Sequence, residues 1–245
     1  KGTFGTVFFG KDTVLGVDLA VKKVHFNLAD EKNYEFAKRT FQQEINVLQR
    51  FRHPNIVRLY GRALNPSKTQ VLIYELGSRS SLEHLLKHSG HLLPWSLRIS
   101  IMLDISRGLN FLHTGGNQTK YQVFHRDIKS ANVIIMSDYT AKLIDCGLAK
   151  FTVEESSKTR ASIKTSQRMS SSGGAFGTTG YICPTYNDVP EFKFQAACDV
   201  FSLGVVLAEL VTGYLSVQPS TREGGNNGIS LYDFFIRPPE DEDEK

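Results

Sequence analysis

The stretch HRDIKSANVI, residues 125–134, is followed eleven positions later by DCG, residues 145–147. Together the two stretches place a pair of aspartates, a lysine and an asparagine at fixed offsets. Carboxylate and amide oxygens can hold metal ions and accept the proton of a hydroxyl, and a lysine can neutralise charge on a phosphoryl group in transfer. A surface loop of unrelated polar residues would not need these types at these offsets, so we predict phosphoryl transfer. The catalytic candidates are Asp127, Lys129 and Asn132, and the candidate metal ligands are Asn132 and Asp145.

The amino-terminal residues contain a candidate phosphate-binding turn. Gly2, Gly5 and Val7 have the spacing of the later part of a hairpin of the form G-x-G-x-x-G-x-V. Glycines let main-chain amides approach phosphate oxygens without an intervening Cβ atom, and the valine can cover one face of an adenine. A hairpin without a ligand has the same local sequence. The pattern therefore indicates an ATP site only in combination with residues 125–147.

Lys22 ends the β-type run LAVK, and Glu44 belongs to the helix that follows it. In phosphoryl transfer, the ammonium of such a lysine bridges the α- and β-phosphates while the glutamate holds it in place. Lys23 and Glu31 compete for these two roles. We prefer Glu44 because it shares its helix with apolar residues whose spacing predicts a buried face.

The first 75 residues read mainly as strands, and helices dominate from Ser81 onward. Predicted strands cover residues 6–9, 19–22 and 70–74, with small strands at 123–124 and 133–136. Apolar residues at helical spacing predict longer helices, and Ser81 can cap a shorter one. The helical stripes are Phe41, Ile45, Leu48 and Phe51, then Ile101, Ile105, Leu109 and Leu112, and finally residues 199–211, which end at Gly213. Residues 156–172 read as a polar loop, and residues 238–245 as a solvated acidic tail.

The composition is ordinary for a soluble globular protein, with 245 residues of which 40% are apolar and 22% charged. The net charge of +4 and the lack of a basic stripe predict no nucleic-acid partner. Three cysteines without metal-site spacing are typical of reduced thiols in the cytoplasm. The longest apolar run, residues 200–211, is too short to cross a bilayer. We expect membrane attachment only through segments outside this chain.

Further segments carry a family resemblance. They are HPNIV at residues 53–57, Tyr74 after a predicted strand, SSL at 80–82 and GTTGY at 177–181. With the stretches above, they make the chain resemble a eukaryotic protein kinase catalytic domain of the tyrosine-kinase-like branch. It looks similar to plant receptor-like kinases and to Pelle and interleukin-receptor-associated kinases. The likeness runs from residue 2 to about residue 213, and residues 124–150 are its most specific part.

The resemblance implies an α+β, two-lobed fold, with a small antiparallel β-sheet lobe that carries one helix and a larger, mainly α lobe. Residues 1–75 would form the N-terminal ATP-binding lobe, and residues 76–245 the C-terminal catalytic lobe. It also implies truncation at both ends, with the first strand and the terminal helices missing. Because even complete domains are stable by only about 5–15 kcal/mol, we expect this segment to fold poorly alone.

The resemblance also assigns roles to single residues. Ala20 and Ile134 would enclose the adenine together with Val7, main-chain groups of Glu75 and Gly77 would bond its edge, and Tyr74 would be the gatekeeper. Thr178 would hydrogen-bond toward Asp127 and Lys129 as part of the catalytic site. Asp199 would bond the main chain of residues 125–126. Leu48, Leu59, His125 and Cys146 would stack as a hydrophobic spine.

The chain departs from the family pattern at two places. The family's Asp-Phe-Gly is Asp-Cys-Gly here, so that Cys146 would thin the spine. The family's Ala-Pro-Glu is CPT at residues 183–185, so that Thr185 lacks the carboxylate that pairs with a late arginine. These departures are the basis for an alternative function, a catalytically impaired scaffold that binds nucleotide or partner proteins.

The favoured prediction is a serine/threonine protein kinase that uses ATP and Mg²⁺ on protein substrates in intracellular signalling, because kinases with Asp-x-Lys-x-x-Asn act on serine and threonine. Phosphate on Ser170, Ser171 or Ser172 would pair with Arg126 and order the polar loop, and an unmodified loop is the alternative. A small-molecule kinase would show His-Gly-Asp instead of His-Arg-Asp. We expect a cytoplasmic location, or the intracellular domain of a membrane receptor, and the sequence does not fix the oligomeric state.

Overall fold

The computed structural model describes residues 5–24, 30–64, 70–116, 121–153, 177–185, 194–216 and 231. Three of the predicted features lie outside the described residues. They are Gly2, the polar loop 156–172 with its three candidate phosphorylation sites Ser170, Ser171 and Ser172, and the acidic tail 238–245.

Four antiparallel strands form the amino-terminal sheet: β1 (Gly5–Lys11), β2 (Asp18–Val24), β3 (Leu59–Leu64) and β4 (Gln70–Glu75). Their order is β1-β2-β4-β3, so β2 lies between two partners. Lys22 is paired with Val7 on β1 and with Leu72 on β4. Because a slip of one residue would turn its side chain to the other face of the sheet, pairing on both sides fixes the direction of Lys22.

Helix α1 (Glu31–Arg50) connects β2 to β3. The carboxylate of Asp30 caps it by accepting two main-chain hydrogen bonds from the first turn, at 3.1 and 3.2 Å. The predicted apolar stripe is buried, and Phe51 ends the helix as its C-cap. Glu44 is buried on the same face, at 3% exposure. The helix thus carries a carboxylate into the protein interior.

The remaining helices are α2 (Leu82–Ser89), α3 (Trp95–Thr114) and α4 (Ala196–Thr212). Ser81 caps α2 as predicted, because its hydroxyl accepts a hydrogen bond from the main-chain N–H of His84 at 3.3 Å. Helices α3 and α4 end at Gly115 and Gly213, whose φ angles of 72° and 78° lie in the left-handed region that glycine adopts without strain. The helical part and the sheet with α1 form the predicted two-lobed α+β fold.

Arg98 ties the start of α3 to the end of α4. The side chain is 7% exposed, and its guanidinium donates to main-chain oxygens of Gly90, Leu93 and Leu210. A guanidinium has five N–H donors in a rigid plane, so it can serve several carbonyls at once. Arg98 therefore holds the turn before α3 and the last turn of α4 in one cluster.

Two short two-stranded sheets position the central loops. β5 (Tyr121–Phe124) pairs with β8 (Lys150–Val153), and β6 (Val133–Ile135) pairs with β7 (Ala141–Leu143). The loop 125–132 leaves β5 and enters β6, whereas the loop 144–149 leaves β7 and enters β8. The pairing of the flanking strands brings both loops to the same edge.

The sequence prediction missed three strands, made β1, β2, β4 and β5 too short, and misplaced one end of β6 and of α4. β3, β7 and β8 were not predicted, because they are short and mix glycine or lysine with apolar residues. β6 stops before Met136, whose N–H bonds Thr140 O in the turn to β7. Helix α4 begins at Ala196 rather than Asp199, since two alanines, which are strong helix formers, precede Cys198.

Candidate active site

Lys22, Glu44 and Asp145 form a buried charged triad. The ammonium of Lys22 lies 2.9 Å from Glu44 Oε2 and 3.1 Å from Asp145 Oδ1, and its side chain is 15% exposed. Strand β2 supplies the lysine, α1 the glutamate, and the loop after β7 the aspartate. The competing residues do not take part, because Glu31 is the exposed first residue of α1 and Lys23 follows Lys22 on a strand, where neighbouring side chains point to opposite faces.

Burial and mutual attraction set the protonation of this triad. Burial alone disfavours the ammonium, but Glu44 and Asp145 outweigh it and raise the pKa of Lys22 above its usual value. Burial also opposes the ionised form of Asp145, yet Lys22 prevails and the pKa of Asp145 is lowered. At Glu44 burial prevails over the ammonium, and the pKa is raised. A permanently charged lysine therefore sits against an ionised Asp145, which remains 31% exposed.

Tyr74 supports the triad from behind. Its hydroxyl donates a hydrogen bond to Glu44 Oε1 at 2.6 Å, and the side chain is buried. Burial and the neighbouring Glu44 carboxylate raise the pKa of the Tyr74 hydroxyl well above its usual value, so it stays a donor. The sequence placed Tyr74 beside the nucleotide, but it did not predict this bond. Both oxygens of Glu44 are thus engaged, one by Tyr74 and one by Lys22.

The loop 125–132 carries a compact polar network around Asp127. Lys129 Nζ lies 2.9 Å from Asp127 Oδ2 and donates to Thr178 Oγ1 at 2.7 Å. The Thr178 hydroxyl in turn donates to Asp127 Oδ1, also at 2.7 Å. Asn132 Nδ2 donates to the main-chain oxygen and to Oδ2 of Asp127, both at 2.9 Å. The predicted contacts of Thr178 with Asp127 and Lys129 are therefore present.

Asp199 on α4 anchors this loop from below, as predicted. Its fully buried carboxylate accepts hydrogen bonds from the main-chain N–H groups of His125 and Arg126, each at 2.8 Å. His113 Nε2 lies 2.8 Å from the same carboxylate, a contact that the sequence did not predict. Arg126 has a φ of 70°, which is unfavourable for a residue with a side chain. The two main-chain bonds hold the loop in this conformation.

His125 couples the two central loops. Its Nδ1 accepts a hydrogen bond from the main-chain N–H of Asp127 at 3.3 Å, and its Nε2 lies 3.0 Å from the main-chain oxygen of Ile144. The next residue, Asp145, has a φ of 62°. Backbone strain of this kind persists where the surroundings impose it, often at functional sites. His125 thus fixes the distance between the network at Asp127 and the triad at Asp145.

Tyr181 bonds the segment 177–185 to two neighbouring elements. The hydroxyl of Tyr181 donates to Glu209 Oε1 at 2.6 Å and lies 3.1 Å from the hydroxyl of Ser130. Glu209 is fully buried on α4, and its Oε1 also accepts from the main-chain N–H of Ser216 at 2.7 Å. Tyr181 therefore links the segment that carries Thr178 to α4 and to the loop 125–132.

The residues expected around an adenine are arranged along β1, β2, β4 and the start of β6. Ala20 is paired with Tyr74 in the sheet, and Val7, which is 58% exposed, lies beside Lys22. A Cβ atom on Gly77 would come within 2.9 Å of the Ile134 side chain, so only glycine fits there. Glu75 binds Lys142 at 2.8 Å through its carboxylate. Gly5 opens β1, and Gly2 lies outside the described residues.

The donor set suits a magnesium ion shared with phosphates. Both hydrogen bonds that fix the Asn132 amide come from its nitrogen, which leaves Oδ1 as the atom for a cation. Asp145 offers a partly exposed carboxylate. No group of three or more His, Cys, Asp or Glu side chains that could hold a metal occurs within the part of the chain that the structure describes. Mg²⁺ is commonly bound by one or two protein oxygens together with substrate phosphates, so the residues fit.

Comparison with known proteins gives the family. The protein kinase domain matches residues 1–235. The chain belongs to this family. A kinase domain contains a Lys–Glu ion pair, an Asp beside it and a loop with Asp and Asn, and the structure brings the same residue types together at Lys22, Glu44, Asp145, Asp127 and Asn132.

The kinase domain has relatives among proteins of Arabidopsis thaliana. It is 36% identical over 230 residues to a probable leucine-rich repeat receptor-like protein kinase, covering 91% of this chain and 19% of the relative. It is 37% identical to calcium/calmodulin-regulated receptor-like kinase 2, covering 86% of this chain and 43% of that relative. It is also 37% identical to the probable serine/threonine-protein kinase PBL8, covering 89% of this chain and 49% of that relative. The predicted likeness to plant receptor-like kinases is confirmed, and the chain spans less than half the length of each of these relatives.

Among the residues that the structure covers, no helix combines the length and the apolar character needed to cross a bilayer. The apolar helix α4 is 17 residues long and contains Asp199 and Glu209, both fully buried. Its apolar surface serves the core of the kinase domain.

Two supporting residues of the site were missed because the sequence gives no local sign of them. His113 stands in the last turn of α3, and only the fold brings it to Asp199. Tyr181 belongs to the GTTGY segment, but its bond to Glu209 joins positions 28 residues apart. Glu209 alone carried a usable signal, since a carboxylate inside an otherwise apolar helix requires a buried partner.

Proposed function

We propose that this kinase domain transfers the γ-phosphoryl group of ATP, with Mg²⁺, to serine and threonine hydroxyls of protein substrates. The observation that carries the proposal is the contact of Lys22 with Asp145, which lie 123 positions apart in the sequence. A lysine held by a glutamate, next to a carboxylate that is partly open to solvent, is the arrangement that receives the phosphates of ATP. The serine/threonine names of the relatives support the choice of acceptor.

The proposed roles follow from charge and geometry. Lys22, oriented by Glu44, would bind the α- and β-phosphates. Asn132 and Asp145 would hold Mg²⁺, which when bound neutralises charge on the phosphate oxygens. Val7, Ala20, Tyr74 and Ile134, with main-chain groups of Glu75 and Gly77 and the turn at Gly2 and Gly5, would enclose the nucleotide.

Asp127 is the proposed base. It already accepts a hydrogen bond from the Thr178 hydroxyl at 2.7 Å, so it is placed to accept one from a serine or threonine of the substrate. Lys129, 2.9 Å from Asp127, would stabilise the negative charge that builds up on the phosphoryl oxygens. Thr178 would keep the two side chains together before the substrate arrives.

Regulation and location are parts of the same proposal. Phosphate on Ser170, Ser171 or Ser172 would carry a charge of about −1.5 to −2 toward Arg126 and order the preceding segment. The receptor-like relatives support a domain that acts in the cytoplasm, either free or as the intracellular domain of a receptor. The two lobes would be residues 1–75 and 76–245.

The test is transfer of phosphate from labelled ATP to a mixed serine and threonine peptide library, with the full-length protein. Asp127→Asn should abolish transfer while Mg·ATP still raises the melting temperature, because binding of ATP does not need the base. Lys22→Met should lose at least about 100-fold in kcat/KM, in the range of a single lost electrostatic contact in transition-state stabilisation. Lys23→Met is the matched control, since it removes the neighbouring lysine of the same strand.

The outcomes separate the candidate functions. If Mg·ATP stabilises the wild type but no peptide is phosphorylated, the protein is a nucleotide-binding scaffold, the alternative that Cys146 and Thr185 favour. Equal losses in Lys22→Met and Lys23→Met would refute the assignment of Lys22. Transfer only to small molecules would refute a protein substrate.

A further inference from the structure

Two of the three cysteines meet beside the proposed catalytic loop. Cys183 lies in the segment 177–185, and Cys198 lies in the first turn of α4. Both line one pocket, which is also bordered by Arg126, Asp127 and Thr178. Cys183 is half-buried, whereas Cys198 is 2% exposed. The pair therefore combines a thiol that small solutes can reach with one held inside the protein.

Hydrogen bonds bring the two stretches of main chain together at this point. The hydroxyl of Ser202 donates to the main-chain oxygen of Tyr181 at 2.7 Å and to that of Cys198 at 3.0 Å. One hydroxyl thus joins the turn before Cys183 to the turn that carries Cys198. Burial first, and the neighbouring Cys183 in addition, raise the pKa of the Cys198 thiol, in agreement with the position of both side chains on the wall of one pocket.

We propose that Cys183 and Cys198 form a redox pair that closes into a disulfide and ties the segment 177–185 to α4. Disulfides in intracellular proteins are usually transient and redox-sensing. The oxidant is a hydroperoxide such as hydrogen peroxide. The thiolate of Cys183 attacks one peroxide oxygen, the O–O bond breaks, and hydroxide leaves, so that Cys183 becomes a sulfenic acid. Cys198 then attacks that sulfur, the S–O bond breaks, and the thiol proton leaves with the departing oxygen as water.

The third cysteine provides the internal control. Cys146 is fully buried in the core of the kinase domain, and burial raises the pKa of its thiol well above the usual value. A protonated thiol without access to solvent reacts slowly with peroxide. Oxidation of the folded protein should therefore spare Cys146.

The disulfide should also lower kinase activity, and this step rests on the proposed function. A disulfide holds its sulfur atoms about 2.05 Å apart, closer than two sulfur atoms that are not bonded to each other. Closing it draws Cys183 toward α4, and Thr178 stands five positions earlier in the same segment. A misplacement of about 1 Å at a reacting group can cost about 100-fold in rate. Oxidation should lower kcat on peptide substrates by at least about tenfold, and a thiol reductant should restore it.

A peptide map tests the pair independently of activity. The full-length folded protein is treated with hydrogen peroxide, free thiols are alkylated, and the protein is digested with trypsin without reductant. Cleavage after Lys193 separates Cys183 from Cys198, so a linked pair of peptides proves the disulfide. Cys183→Ser and Cys198→Ser should each abolish the linked peptides, whereas Cys146→Ser should leave them in place. Two results would refute the pair. One is alkylation of Cys198 in protein whose Cys183 is over-oxidised, and the other is the appearance of linked peptides only after denaturation.

The kinase assay tests the consequence. Wild type should lose activity with peroxide and regain it with dithiothreitol, while Cys198→Ser, with unchanged basal activity, should keep its activity under the same mild treatment. Linked peptides with undiminished kcat would overturn the effect on catalysis and leave the disulfide established. Absence of any kinase activity before oxidation would contradict the proposed function without touching the peptide map.

Discussion

Replacement of Asp199 by asparagine tests how the loop 125–132 is held. The carboxylate accepts two main-chain hydrogen bonds at 2.8 Å, from His125 at Oδ2 and from Arg126 at Oδ1, and His113 Nε2 lies 2.8 Å from Oδ2. An asparagine has only one acceptor oxygen, and its amino group only donates. Whichever way the amide turns, one of the N–H groups of His125 and Arg126 then faces another donor.

The expected loss can be estimated from these contacts. A hydrogen bond to a charged group contributes about 1.5–3 kcal/mol, and leaving a buried N–H without an acceptor costs about 1–3 kcal/mol. Asp199→Asn should therefore lower the free energy of unfolding by about 2.5–6 kcal/mol. Arg126, with its φ of 70°, would also relax once its bond is lost, so kcat should fall as well.

Urea unfolding of the full-length protein, followed together with peptide phosphorylation, measures both effects. Asp104→Asn is the matched control, because Asp104 accepts a single main-chain hydrogen bond, from Ala141 at 3.0 Å, which one amide oxygen can replace. We expect the control to lose less than about 1 kcal/mol, the value of an ordinary hydrogen bond. Equal losses in the two variants, or a loss below about 1 kcal/mol in Asp199→Asn, would contradict the geometric reasoning.

Three further perturbations probe other contacts. Tyr74→Phe removes the 2.6 Å hydrogen bond to Glu44. The variant should lower the free energy of unfolding in urea by about 1.5–3 kcal/mol and raise the KM for ATP. An unchanged stability would show that the bond is not made in solution. Burial raises the pKa of Glu209 above 4.5, so its ionisation costs stability as the pH rises through that pKa. In thermal melts, the stability of Glu209→Gln relative to wild type should accordingly increase as the pH rises above the ordinary glutamate pKa, and a constant difference would argue against a raised pKa. Thr178→Val keeps the shape of the side chain but loses two 2.7 Å hydrogen bonds, the one it donates to Asp127 and the one it accepts from Lys129. The variant should lower kcat by about 10- to 100-fold with little change in melting temperature. An unaltered kcat would exclude the positioning role of Thr178.

The central motif was predictable because its chemistry depends on spacing alone. The offsets within residues 125–132 and the aspartate at 145 stay the same in any correct fold, so the sequence could group them. Lys22 and Glu44 were harder, since their contact depends on how α1 lies against β2. The choice of Glu44 rested on the buried stripe of that helix, and the same stripe is buried in the structure.

Contacts between distant elements were beyond the sequence. The bond from Tyr74 to Glu44 requires the register between β2 and β4, and the contact of His113 with Asp199 requires the crossing of α3 and α4. The strands β3, β7 and β8 were missed because their residues alone have no strong alternation, and pairing with a neighbour creates them. Tertiary structure decided these features.

The cluster at Arg98 determines which parts of the domain can move. The planar guanidinium of Arg98 bridges the start of α3, the end of α4 and the turn between α2 and α3. We therefore expect these elements to move together as one rigid unit. A lysine, with a compact ammonium, could not span the same three oxygens. Movement of the sheet lobe against these helices would then be taken up near residues 76–78, because Arg79 and Ser80 are hydrogen-bonded to Ile135 in β6. If the proposed function is right, the rate of nucleotide release should respond to substitutions at 76–78 rather than to substitutions at the Arg98 cluster.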